Sequence, residues 1–336
     1  MEGIDLNELS EIVQSSKINF LIGSGVSRPF LPVLNDIEKN LNAANTLEEK
    51  EVYYKEYLNN VMLPNIKVCK NELDTDASYQ KTKKSYQSFC KTLCSTLLKR
   101  KSTILSKQAN IFSTNIDVLL ETVLESLQFD YNDGFSGRFT PVFGLENFKK
   151  SINQRSLHFD HTSEIPVFNL IKIHGSLTWK YNKLRDKILL SSDLSHIDDS
   201  LIGLNGEEFI QKYNDILVVN PEDAKHLESV LVVYYSELLR LYSSELEKEN
   251  ALLFVLGFSM EDRHIRQITL RAAKSNPTLR IFVCCSKGSE EKMEAKMEVG
   301  LNPNIHIYTP DAEDAKFTLE YFTENVLDKI IENAHK

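Results

Sequence analysis

The stretch Ile18–Ser27, INFLIGSGVS, is a short apolar run that stops at Gly23-Ser24-Gly25-Val26-Ser27. A run this short, closed by glycines, reads as a buried strand and not as a helix. Two glycines directly after a strand let the backbone come close to a pyrophosphate, whose charge free N–H groups stabilise. The full dinucleotide fingerprint needs a third glycine at the sixth position, and Arg28 stands there. A hydride-transferring enzyme is therefore disfavoured, and a plain strand-to-helix turn explains the motif about as well.

Similar runs recur along the chain. Ile111–Ser113 stops at TNID (114–117), before the amphipathic run VLLETVLESL. Val167–Ile173 ends at HGS (174–176), Ile216–Val219 follows, and Ala251–Leu256 ends at GFS (257–259). A helix is expected from about Met260 to Lys274, strands at Arg280–Cys285 and Ile305–Tyr308, and a closing helix over Ala312–Asn333. Near-continuous apolar strands alternating with helices imply a parallel sheet covered on both faces. The expected fold class is α/β, a doubly wound, Rossmann-like parallel sheet.

The chain reads as one domain over 1–336. Residues 34–108, rich in Lys, Glu, Tyr and Leu, are too long for one crossover helix. They predict an inserted helical subdomain with a break at Pro64–Asp76, where turn residues gather. Residues 130–164 and 179–208 read as irregular loops over the active-site edge.

The 336 residues carry 39 basic and 48 acidic side chains, a net charge of −9. That balance argues against direct nucleic-acid binding and against anionic membranes. The longest apolar run, Ala251–Phe258, falls well short of the roughly 20 residues of a membrane span. The acidic start, MEGIDLNELSEI, lacks the features of a signal peptide, so a cytoplasmic location is expected. Five cysteines (69, 90, 94, 284, 285) contain no CxxC pair, which predicts free thiols and no zinc site. Cys90 and Cys94 would share a buried helix face.

In an open parallel sheet ligands bind beyond the carboxyl ends of the strands. The endings GSGVS, TNID, HGS and GFSMED would converge there. Asp117 or Thr114 would cap the following helix while Asn115 faces a ligand. His174, with a near-neutral ordinary pKa, would suit a general base, although a lone histidine is more often structural. A hydrolase triad of Ser24 or Ser27 with His174 and Asp117 lacks the G-x-S-x-G elbow.

With these motifs in this order, the chain resembles the sirtuin-like NAD-binding family. It looks closest to the zinc-ribbon-less branch of bacterial antiphage-defence NADases. The glycine-serine loop corresponds to Gly23–Ser27, the Thr-Asn-x-Asp motif to Thr114–Asp117, and the His-Gly motif to His174 and Gly175. The late signature corresponds to Gly257, Phe258, Ser259, Asp262 and Ile265, and Asn132–Phe135 also looks like this branch. No cysteine pairs follow His174, so the zinc lobe of the protein deacylases is missing. The resemblance implies an NAD hydrolase releasing nicotinamide and ADP-ribose, an effector of antiphage defence that takes NAD as substrate and no zinc. It assigns Asn115 to the nicotinamide ribose and its water, His174 to the base, and Gly23, Ser24, Gly25 and Ser27 to the pyrophosphate. Asp117 would orient Asn115 or the nicotinamide end, and Ser259 and Asp262 would close the adenosine side, although Asp262 could equally cap the helix starting near Met260. It also implies a homo-oligomer and a helicase-type ATPase partner from a neighbouring gene. A module that binds NAD or ADP-ribose without cleaving it, and a protein deacylase, are the alternatives.

Overall fold

All but one of the apolar runs become strands in the computed structural model. It describes residues 6–33, 35–44, 46–100, 102, 104–158, 160–197, 199–219, 229–312 and 315–333. The central strands are β1 (Lys17–Ile22), β2 (Gln108–Ser113), β3 (Tyr131–Asn132), β4 (Val167–Lys172), β5 (Ala251–Leu256), β6 (Arg280–Cys284) and β7 (Ile305–Tyr308). They form one sheet in the order β7-β6-β5-β1-β2-β4-β3, and every pair is parallel. The chain builds outward from β1 to one side and then crosses to the other, so β1 and β5 border the topological switch point.

Because side chains alternate along a strand, each strand feeds two cores. Phe20, Ile111, Leu170 and Phe254 point to one face. There they meet α1 (Leu6–Ser15), the last helix of the insert, α6 (Leu119–Ser126) and the C-terminal helical segment. Leu21, Phe112, Ile171 and Val255 point to the other, under α8 (Ser229–Leu246) and α9 (Arg263–Ser275). The fold is α/β, doubly wound, with helical insertions.

The insert contains α2 (Asn35–Ala43), α3 (Leu47–Tyr57), α4 (Leu63–Cys69) and α5 (Ala77–Leu98). Asp76 caps α5 by accepting the Tyr79 N–H at 2.8 Å. Its buried Tyr79, Thr82, Tyr86, Phe89, Leu93 and Leu97 repeat at helical spacing. Phe89 meets Phe20 edge to face, ring centroids 5.2 Å apart, so α5 is itself a covering layer of the sheet. Cys90 is buried and Cys94 half-buried, and all five thiols are free.

Several expectations need correction. Pro64 does not break the helix: it lies in the first turn of α4 after a π turn at Leu58–Met62, where its missing N–H costs little. The break falls at 70–76, and Gln108 already belongs to β2. Ile216–Val219 is buried but not a strand, since Val218 makes only an isolated antiparallel bridge to Gly175. The stretch 130–164 supplies the edge strand β3 and two hairpins, Phe135–Phe143 and Asn153–Glu164. A hairpin, Trp179–Leu190, opens 179–208, and α7 (Gly206–Asn214) closes it. The closing helix starts at Leu319, where Thr318 caps it, and not at Ala312.

One polar row crosses the sheet. Asn19, Asn110, Asn169 and Asn132 stand in register on β1, β2, β4 and β3. Asn110 Nδ2 donates to Asn19 Oδ1 (2.8 Å) and to Glu245 Oε2 (3.1 Å), and Asn169 Nδ2 donates to Asn110 Oδ1 (2.9 Å). A one-residue slip of any strand would break the row, so it specifies register. Asn110→Leu removes three bonds: Asn19 Oδ1 loses its partner, Asn169 Nδ2 keeps only Gln108 and Glu245 Oε2 keeps only Lys248, and a buried group left unsatisfied costs about 1–3 kcal/mol. Allowing for relaxation, we expect about 2–3 kcal/mol of lost stability in urea denaturation; a loss below about 0.5 kcal/mol would remove the row from the account.

Candidate active site

Register decides which chain ends meet. Leu256, Ile22, Ser113 and Lys172 lie in one row at the carboxyl edge of β5, β1, β2 and β4. The loops that follow, GSGVS, TNID, HGS and GFS, therefore start side by side.

The glycines act first on one another. Gly23 N–H donates to the Leu256 carbonyl (3.0 Å) and Gly25 N–H to the Gly257 carbonyl (2.9 Å). A Cβ on Gly23 would stand 2.6 Å from the Gly257 oxygen, and one on Gly25 2.8 Å from the Gly257 Cα. Gly257 itself has φ +59°, and its Cβ would meet Val26 N at 2.6 Å. These three positions are glycine because two backbones touch at the switch point. Two of the N–H groups expected to face a pyrophosphate are thus engaged with carbonyls; Ser24 stays half-buried at the start of a 3-10 turn over Ser24–Ser27.

TNID packs onto that turn. Thr114 N–H donates to the Ile22 carbonyl at 3.0 Å. Asn115 Nδ2 reaches the Gly23 carbonyl (3.1 Å) and Ser27 Oγ (3.2 Å). Ser27 Oγ donates to Asp117 Oδ2 at 2.8 Å. Its proton is then spent, so Tyr86 OH, 3.1 Å away, donates to it. Asp117 Oδ1 accepts the Leu119 N–H at 3.2 Å, but the N-cap of α6 is Val118, which has no side-chain cap, so neither Asp117 nor Thr114 holds the capping position expected of it. Ser27 is 1 %, Asp117 4 % and Asn115 8 % exposed, a closed clasp.

Beneath the clasp lies an ion pair. Lys172 Nζ stands 3.1 Å from Glu121 Oε1 and also donates to the Asp117 carbonyl, with the two side chains 4 % and 13 % exposed. Burial pushes the Glu121 carboxyl above its ordinary range, and Lys172 partly opposes the shift.

His174 belongs to a second group. Gly175, at φ +76°, turns the chain there, and its Cβ would stand 2.3 Å from the Leu217 carbonyl oxygen. The His174 carbonyl accepts the Val219 N–H at 2.8 Å. His174 Nε2 lies 3.2 Å from Asp262 Oδ2. Asp262 Oδ1 meanwhile accepts the N–H groups of His264 (2.8 Å) and Ile265 (3.0 Å), capping α9. Burial raises this carboxyl, but His174 and the two N–H groups outweigh it, so it titrates below its ordinary range. The Ser259 carbonyl accepts Lys296 Nζ at 2.9 Å.

Asp262 thus caps α9, one of the two roles the sequence offered for it, and also faces His174, a pairing the sequence did not indicate. The serine–histidine–aspartate triad is not assembled, because Asp117 faces Ser27 and His174 faces Asp262. Sequence reasoning missed Tyr86, Lys172 and Glu121. A lysine inside the apolar run VFNLIKI was a readable signal; Tyr86, one tyrosine among many in the insert, was not. A cleft of about 470 Å³ lined by Leu270, Arg271, Lys274 and Glu298 lies on α9, among none of the expected site residues.

Residues 109–304, more than half of the chain, match the family model described as SIR2-like domain. No curated protein matches the chain. Among solved structures, one described as the structural basis for the mechanism and regulation of Sir2 enzymes is similar at 9 % identity. It covers 98 % of this chain and 99 % of that one, with a TM-score of 0.45. A Sir2 mutant with a p53 peptide and NAD is similar at 12 % identity, covering 97 % and 98 %, again with a TM-score of 0.45. The chain belongs to the SIR2-like domain family.

Proposed function

We propose that the protein hydrolyses NAD to nicotinamide and ADP-ribose at the loops beyond β1, β2, β4 and β5. The observation that carries this reading is that the glycine-serine loop, the loop of the buried Asn115 and the loop of His174, which pairs with Asp262, all start from one row at the carboxyl edge of the sheet. Nicotinamide is already cationic in NAD, so it leaves with the bonding pair and needs no general acid. The cost lies in the oxocarbenium-like ribose, which water traps at the anomeric carbon. Holding the sugar and one water supplies much of the rate. Asn115 positions the ribose and the water, and His174 takes the water's proton. Ser24, half-buried at the head of the turn, faces the pyrophosphate side, while Gly23, Gly25 and Ser27 set the shape of the loop that presents it, with Thr114, Asp117, Gly175, Gly257 and Ser259 shaping the walls.

The same reading gives the protein a cytoplasmic role in antiphage defence by NAD depletion. Its turnover would be released by a trigger, by assembly into a homo-oligomer or by a helicase-type ATPase partner. One observation favours a second reading, a module that binds NAD without cleaving it: the Asn115 amide is committed to Gly23 and Ser27.

Incubation of purified chain with NAD, with nicotinamide and ADP-ribose separated by chromatography, decides between them. We expect turnover in the wild type and a loss of about 10²-fold or more in Asn115→Ala and His174→Ala. Binding without turnover would leave two accounts, the module or a silent enzyme awaiting its partner; neither binding nor turnover would end the NAD reading.

A further inference from the structure

We propose that Asp262 is the positioning residue of His174 and fixes its tautomer, making Nδ1 the nitrogen that takes the proton. The inference rests on the NADase reading for its kinetic consequence and on geometry alone for the tautomer. Asp262 divides its two oxygens. Oδ1 accepts two N–H groups of the first turn of α9, and Oδ2 faces His174 Nε2 at 3.2 Å. An ionised carboxylate only accepts hydrogen bonds, so Nε2 must carry the hydrogen. In the neutral ring the lone pair then lies on Nδ1.

Three further contacts hold the ring and its partner in place. The Val219 N–H grips the His174 carbonyl, Gly175 turns the chain at positive φ, and the Tyr235 ring centroid lies 6.0 Å from that of the imidazole. Asp262 and His174 are each 18 % exposed by side chain, so the pair is partly shielded but reachable from solvent. The helix cap ties the carboxylate to α9, so the orientation of the imidazole follows from the position of that helix.

Asp262→Asn separates the two duties. Asparagine caps a helix as well as aspartate does. With its oxygen kept on the His264 and Ile265 N–H groups, its amide NH₂ faces His174. Nε2 must then accept, and the hydrogen moves to Nδ1. The experiment is nitrogen-15 NMR of the full chain labelled at histidine, with His174→Gln used to assign the signal, beside NAD kinetics.

The wild type is expected to show the Nε2–H tautomer, and Asp262→Asn the Nδ1–H tautomer with an unchanged thermal midpoint. The variant's kcat should fall about 10²- to 10⁴-fold, the scale a wrong tautomer costs in hydrolases, with KM within about threefold. If Asp262→Asn does not fold, Asp262→Ser, which also caps, is expected to show mixed tautomers. An Nε2–H tautomer that persists in the variant overturns the proposal, as does a kcat within about threefold of the wild type. If the isolated wild type turns over no NAD, the kinetic arm reads nothing on Asp262 and the NMR result alone judges the tautomer.

Discussion

Lys172→Met is expected to destabilise the protein by about 3–5 kcal/mol at neutral pH, the cost of removing one partner of a buried ion pair. Methionine replaces the apolar stem of Lys172 and leaves the sheet face packed. What it removes is, among the described residues, the one positive charge paired with Glu121 Oε1, 3.1 Å away, while Glu121 Oε2 is buried with no hydrogen-bond partner among those residues. The carboxylate answers by binding a proton, and the sign of the pH dependence follows. Its folded pKa lies above the ordinary 4.5 and rises further without the lysine. A carboxyl raised on folding loses stability as pH climbs from its unfolded value through its folded one. The variant should therefore be weakest near pH 7.5 and recover part of its loss toward pH 5. Urea denaturation at the two pH values measures this, and adding Glu121→Gln should restore most of the difference. A Lys172→Met loss below about 1 kcal/mol at pH 7.5 would show that the pair holds nothing. The same lysine holds the Asp117 carbonyl, so the variant also loosens the turn that carries Asn115.

Gly257→Ala should cost about 3 kcal/mol and abolish NAD turnover. Part of the cost, about 1–2 kcal/mol, is the left-handed backbone at φ +59°. The rest is steric. The new Cβ would meet Val26 N at 2.6 Å and the Gly25 carbonyl carbon at 2.9 Å, and backbone cannot swing aside as a side chain can. The loops after β1 and β5 must separate, carrying Ser24–Ser27 away from Asn115. Gly288→Ala is the control. It shares a positive φ, +82°, but its Cβ meets nothing within 4 Å. It should lose only the backbone term and keep its activity. Equal losses in the two variants, read by thermal denaturation, would refute the close-approach argument.

How far the site was legible differs from residue to residue. The endings GSGVS, TNID, HGS and GFS could be placed on one edge because parallel strands buried on both faces leave continuous apolar runs, and such runs all end on the same side. Ile216–Val219 looks the same in sequence, since burial beside the His174 loop selects the same residues as burial in a ladder. Tyr131–Asn132, two residues long, joins the sheet through its backbone and leaves no periodic trace. Ala312 lies well before the capping Thr318 where the last helix starts, and composition alone did not distinguish the two.

The sequence by itself determined the layering: which segments are apolar enough to be strands, where glycine punctuates them, and hence where a crevice must open. Partner choice was decided only in three dimensions. His174 and Asp262 are 88 residues apart, Ser27 and Asp117 are 90, and Ser27 and Tyr86 are 59. Nothing in local propensity distinguishes an aspartate that caps a helix from one that also holds an imidazole. That second bond exists because β4 and β5 end in the same row of one sheet, and a hydrogen bond depends on ångström-scale approach that only the packed fold supplies.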